Sequence, residues 1–165
     1  MAWTMKRQLT TPDSATRNSI DSKNCLNEPR FQLERVKTER ARRSLKAFLV
    51  QAWPILEPST EFVEGLHIDA ICSHLQAVTE GRISHLIINV PPGHAKSLLT
   101  GLFWPAWAWI DHSESRWLFS TYREPLAIRD SLRCRRLIES EWYQQRWGER
   151  FQLREDQNQK QRFEK

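Results

Sequence analysis

Apolar positions recur at helical spacing in two stretches of the chain. Leu45, Phe48, Leu49, Ala52 and Trp53 form the first stripe. The charged run before them, Glu34, Arg35, Lys37, Glu39, Arg40, Arg42 and Arg43, extends this helical region back to Phe31 with few apolar positions, so it should pack only near its C-terminal end. Pro54 ends or kinks that helix, and Glu57-Pro58-Ser59 reads as a loop. The second stripe is Val63, Leu66, Ala70, Ile71, His74, Leu75 and Val78, with Ser59 or Thr60 able to cap its start and Gly81 suited to its C-terminal stop. Residues 1–30, rich in Thr, Ser, Asn, Asp and Pro, carry no sustained period and read as disordered.

The pattern then changes. His85-Leu86-Ile87-Ile88-Asn89-Val90 is a short run rich in branched residues, as in a strand buried on both faces of a parallel sheet. It breaks at Pro91-Pro92-Gly93. Leu98, Leu99, Leu102, Phe103 and Ala106 read as a helix, with Pro105 forcing a kink. Trp117-Leu118-Phe119-Ser120-Thr121-Tyr122 reads as a second strand, and Pro125 opens a helix to about Ser140. Strand, loop, helix, strand, helix is the grammar of an open α/β sheet. The pattern therefore predicts an α/β fold, an open parallel sheet with flanking helices, preceded by a disordered basic arm and N-terminal helices.

Composition narrows this picture. With 165 residues the chain is one domain or a piece of one. No apolar run approaches a membrane span, and the N-terminus lacks the apolar core of a signal peptide. Cys25, Cys72 and Cys134 are odd in number and far apart, which argues against a disulfide scaffold or a zinc module and for reduced thiols. The basic excess is local: residues 1–46 hold 11 Lys and Arg against 5 Asp and Glu, whereas the remainder holds 14 against 15. Such an arm either contacts an anionic polymer such as nucleic acid or is simply solvated.

The chemistry concentrates in Pro91-Pro92-Gly93-His94-Ala95-Lys96-Ser97. A phosphate-binding loop joins a strand to a helix, turns backbone N–H groups inward and aims the helix N-terminus at the anion. Lys96 and Ser97 stand where the GxxxxGK[ST] pattern has the lysine that reaches the β/γ phosphates and the hydroxyl that ligates Mg²⁺. Both pattern glycines are replaced, by Val90 and Ala95, and only Gly93 remains within the loop. A Pro-Pro turn with a solvated lysine is the competing reading.

Residues 62–152 resemble the ATPase half of the large terminase subunit of tailed bacteriophages. The resemblance runs through Gly65-Leu66-His67-Ile68-Asp69-Ala70-Ile71, through residues 86–97, and through Phe103-Trp104-Pro105-Ala106-Trp107. It continues in Ser120-Thr121-Tyr122, Leu126-Ala127-Ile128-Arg129-Asp130-Ser131, Cys134-Arg135-Arg136-Leu137-Ile138-Glu139-Ser140 and Trp142-Tyr143-Gln144-Gln145-Arg146-Trp147-Gly148. It implies a motor ATPase, with ATP and Mg²⁺ as cofactors, that drives double-stranded viral DNA through a portal into a preformed capsid. Together with the loop it implies that the parallel sheet is an incomplete P-loop NTPase type. It further implies a ring of identical subunits, the small terminase subunit and the portal protein as partners, and the host bacterial cytoplasm as location. Carried over, Pro91, Pro92, Gly93, His94, Ala95, Lys96 and Ser97 bind the triphosphate, with Lys96 as the catalytic cation and Ser97 on the metal, while His67 flanks the nucleotide base. Residues 1–44 then form a basic N-terminal segment, and residues 45–165 the front of the ATPase domain.

The departures from the family are equally informative. No apolar run ending in paired acids follows Lys96, and the family's coupling motif and nuclease carboxylates are missing, so the chain reads as a truncated gene, a degraded prophage or a fragment. Binding of nucleotide is expected, turnover by this chain alone is not. Arg129, Arg133 and Arg136 share a helix face and either contact DNA, serve a neighbouring subunit's nucleotide or form a solvated basic face. Trp104, Trp107, Trp109, Trp142 and Trp147 could stack on bases, but their helical setting favours core packing. The alternative function is a non-catalytic prophage remnant that binds DNA or a phage partner through its basic arm.

Overall fold

The computed structural model describes residues 22–121 and 123–150. Helix α1 spans Ser22–Arg43, α2 Leu45–Leu56, α3 Leu66–Thr79, α4 Lys96–Leu98, α5 Trp104–Ala108, α6 Glu124–Glu139 and α7 Glu141–Trp147, with a π-helical turn at Leu99–Phe103 joining α4 to α5. Helix α2 is central and touches α1, α3, α5, α6 and the π turn. Its stripe of Leu45, Phe48, Leu49 and Ala52 is fully buried, as the periodicity requires. Ser44 caps it by accepting from the Ala47 N–H.

The expected parallel sheet is not there. Among the described residues the fold is helical, and no strand forms. Residues 85–90 and 117–121 are neither helix nor strand, and no backbone hydrogen bond joins either of them to another segment. Branched side chains hold a backbone extended by crowding at Cβ; a sheet also needs a partner ladder. The half-burial that a strand shows nevertheless survives in 85–90, where Leu86, Ile88 and Val90 pack on the core and Ile87 stands in solvent.

Other sequence expectations are also corrected. Helix α1 starts at Ser22 and carries Pro29 inside it, so residues 22–30 are helical, while residues 1–21 lie outside the described residues. Pro54 does not stop α2, which runs on to Leu56. The N-cap of α3 is Gly65 rather than Ser59 or Thr60, and Gly81, at φ +73°, takes the left-handed conformation that turns the chain away after α3. As expected, α1 packs near its end: Ala41 is buried, whereas Phe31, Leu33 and Val36 are exposed.

Tryptophans tie the layers together. Trp107 Nε1 donates to the carbonyls of Ala41 and Arg42, both at 3.0 Å, and Trp104 Nε1 donates to Thr79 Oγ1 at 2.8 Å. Tyr143, fully buried, donates its hydroxyl to the Ala106 carbonyl at 2.9 Å. These polar tips are satisfied, so the rings add apolar contact without an orphaned donor. No helix among the described residues is long and apolar enough to cross a membrane.

Candidate phosphate-binding loop

The loop begins where residues 85–90 meet Pro91 and Pro92, which have no N–H to donate to a helix or a ladder. Gly93 follows at φ +84°, and Ala95 at φ +54°, ψ +8°. A left-handed residue with a side chain is uncommon and costs about 1–2 kcal/mol. Ala95 stands where GxxxxGK[ST] has its second glycine, directly before the lysine. The backbone thus takes the turn that the pattern glycine normally permits.

Helical structure then runs continuously through residues 96–108. Its first backbone bond is from the Leu99 N–H to the Ala95 carbonyl at 2.9 Å, which leaves the N–H groups of Lys96, Ser97 and Leu98 at the open end. One turn on, the Trp104 N–H bonds to the Leu99 carbonyl, five residues back. This wide turn sits immediately before Pro105, whose ring would collide with the carbonyl four residues earlier and which offers no N–H. The buried Leu99, Leu102 and Phe103 keep that face of the turn on the core.

Lys96 is half-buried and Ser97 exposed in the first turn. Lys37 and Lys46 pair with carboxylates, at 3.0 Å to Glu34 and 2.6 Å to Asp69, whereas no carboxylate among the described residues pairs with Lys96. His94 Nδ1 lies 3.1 Å from the Pro92 carbonyl. That oxygen only accepts, so Nδ1 carries the proton and the ring is fastened across the turn. The His67 ring meets His94 edge to face, with centroids 5.0 Å apart.

His67, which the resemblance places beside the nucleotide base, thus lies against the loop through His94, and Gly65 decides how it gets there. A Cβ on Gly65 would stand 2.8 Å from the His67 ring, so the glycine leaves the space in which that ring lies. Sequence reasoning missed Trp53, Phe62 and Glu61, which with His67 and His94 line a cleft of about 250 Å³ against the loop. The signal was the Gly65-Leu66-His67 spacing, visible but without meaning until His94 is brought opposite.

The arginines of α6 separate. Arg133 is ion-paired with Glu57 at the end of α2, and so fastens α6 to the central helix. Arg129 is exposed and pairs with its neighbour Asp130 at 2.8 Å. Arg136 is exposed and has no carboxylate partner among the described residues. Trp107, Trp109 and Trp147 are buried in the core, with Trp104 and Trp142 packed against it.

A donor-lined helix end beside a lysine without a counter-ion can hold an anion. The Ser97 hydroxyl suits Mg²⁺ only as one oxygen among several, the others coming from phosphates and water, which is how Mg²⁺ is usually held beside a phosphate. Comparison of the chain with protein families, with curated proteins and with solved structures finds no match.

Proposed function

We propose that the chain binds the phosphates of ATP through residues 91–97 and serves as the nucleotide-binding part of a motor that moves double-stranded viral DNA, as its resemblance to the large terminase subunit implies. Ala95 carries the reading. A side-chain-bearing residue held left-handed, one position before Lys96 and at the open end of residues 96–108, is costly unless the loop's shape has a use. In this reading the backbone N–H groups of Lys96, Ser97 and Leu98 accept the phosphate charge, Lys96 lies against the β/γ oxygens, and Ser97 shares Mg²⁺ with them. His67 and His94 flank the base in the adjoining cleft. The exposed guanidinium of Arg136 is the α6 group left to meet DNA phosphate or a neighbouring subunit's nucleotide. The small terminase subunit, the portal protein and a ring of identical subunits are the proposed partners, in the host cytoplasm.

Isothermal calorimetry with ATP and Mg²⁺ tests this reading. The parent chain should give saturable heat that Lys96→Ala abolishes, with the helical circular dichroism unchanged. Equal binding by both proteins, or none by the parent, overturns the assignment.

A further inference from the structure

The loop itself prepares His94 as a metal ligand. Because Nδ1 donates to the Pro92 carbonyl at 3.1 Å, the ring's proton sits there and the Nε2 lone pair is left for an ion. Histidines that ligate metals are usually fixed in this way, the other N–H held by a backbone carbonyl or a carboxylate. The second imidazole comes from the start of α3. The centroid of the His67 ring lies 5.0 Å from that of His94, with the two planes turned by 76°. Two imidazoles on one tetrahedral ion, each at about 2.0–2.1 Å, likewise set their ring centroids about 5 Å apart. The Nδ1–Cε1 edge of His67 lies against Gly65, while Nε2 is farther from it, 3.9 Å from the place where a Cβ would stand. No hydrogen bond occupies either His67 nitrogen among the described residues.

We propose that His67 and His94 together bind one divalent ion of the class that imidazole prefers, such as Zn²⁺, Ni²⁺ or Cu²⁺. The charge of the cleft suits a cation. Glu61 and Glu64 line it beside the two rings, and of these only Glu64 has an ion-pair partner among the described residues, the Lys46 ammonium at 3.2 Å. No group of three histidine, cysteine or carboxylate ligands forms among the described residues, so water fills the ion's remaining positions. Mg²⁺ takes oxygen ligands, which makes this ion distinct from any that Ser97 would share with phosphate. Held by both rings, it fastens α3 to the turn that contains Ala95. The pair of imidazoles stands apart from nucleotide binding and can hold or fail independently of it.

Calorimetric titration of Zn²⁺ into the untagged full chain, in a Cys25→Ser background and without nucleotide, tests the proposal. One Zn²⁺ per chain is expected. His67→Ala and His94→Ala should each weaken binding by about tenfold or more, since losing even the partner that orients a ligand costs that much. Gly65→Ala should weaken it as well: φ of −156° suits alanine, but the added Cβ drives the His67 ring from its place while both ligands stay in the chain. His74→Ala is the control. That histidine lies on the same helix, with Nδ1 2.6 Å from the Ala70 carbonyl, yet no second histidine ring meets it among the described residues, so its loss should leave the affinity unchanged. Electron paramagnetic resonance of the Cu²⁺-loaded chain should show coupling to two imidazole nitrogens, and to one in either histidine variant. The helical circular dichroism should be the same throughout. A parent chain that binds no Zn²⁺, parent-like binding by His67→Ala, His94→Ala or Gly65→Ala, or a loss in His74→Ala as large as in His94→Ala would each overturn the proposal.

Discussion

Replacing Ala95 tests whether the loop's left-handed turn is what binds the nucleotide. At φ +54° the alanine Cβ crowds the following carbonyl, at a cost of about 1–2 kcal/mol. Ala95→Gly removes that crowding but frees the unfolded chain, which offsets about 0.5–1 kcal/mol. The balance is a gain of roughly 0.5–1 kcal/mol, or ~1–4 °C in melting temperature for a chain of this size. Ala95→Val works in the opposite sense, because a β-branched residue is an outlier at positive φ. It should lower the melting temperature by about 2–4 °C and weaken ATP binding by roughly tenfold or more. Differential scanning fluorimetry with and without ATP·Mg²⁺ reads both quantities. If glycine and valine both destabilise and both weaken binding, the turn at residue 95 is not left-handed in solution and the argument for the loop fails.

Three further outcomes follow from the packing and the charges. Tyr143→Phe strands the buried Ala106 carbonyl and should cost about 1–3 kcal/mol in urea unfolding, and an unshifted midpoint would mean that another donor reaches that oxygen. Hydrogen bonds from Arg42 and then Arg43 lower the Glu39 carboxyl from 4.5 to about 2, so its contribution to stability is full above pH 4.5 and is lost as pH falls through about 2; Glu39→Gln should flatten that part of the pH profile, and salt should shrink the difference because the group is exposed. Burial pushes the Cys72 thiol up to about 11 and the Cys134 thiol up to about 12, so a Cys25→Ser chain should resist Ellman's reagent at pH 8 until it is denatured, and prompt labelling of the native protein would contradict their burial.

Helix α2 was legible because it buries one stripe, whereas of the stripe read for α3 Ile71 and Leu75 are buried and Val63, Leu66, Ala70 and His74 are exposed. Leu45, Phe48, Leu49 and Ala52 repeat at 3.6 residues and lie on the core, and Pro125 opens α6 within its first turn. The sheet was misread for a physical reason. A run such as Leu86-Ile87-Ile88 biases local φ and ψ, and its side chains do alternate between half-buried and exposed. Whether it pairs depends on a second segment across space, and no local pattern encodes that partner. The same limit applies to α3: Ser59 and Thr60 are good capping residues, yet the helix begins at Leu66 with Gly65 as its cap, after Thr60 and Phe62 have been held against Trp53 of the central helix.

The loop presents the reverse case, in which the residue pattern fails and the geometry survives. In GxxxxGK[ST] the second glycine specifies a φ value more than a side chain, and alanine can take that φ at a cost. The surroundings must then hold it. Here the His94 Nδ1–H bond to the Pro92 carbonyl closes the turn, and the His67 ring braces His94 from α3 at 5.0 Å. His67 can lie there because Gly65 has no Cβ to collide with its ring. The glycine missing at position 95 has in this sense a counterpart at position 65, thirty residues earlier, and a search for glycines at fixed spacing cannot see it. Since the two braces are side chains from the loop and from α3, loosening either one should relax Ala95 toward ordinary backbone angles before any helix melts.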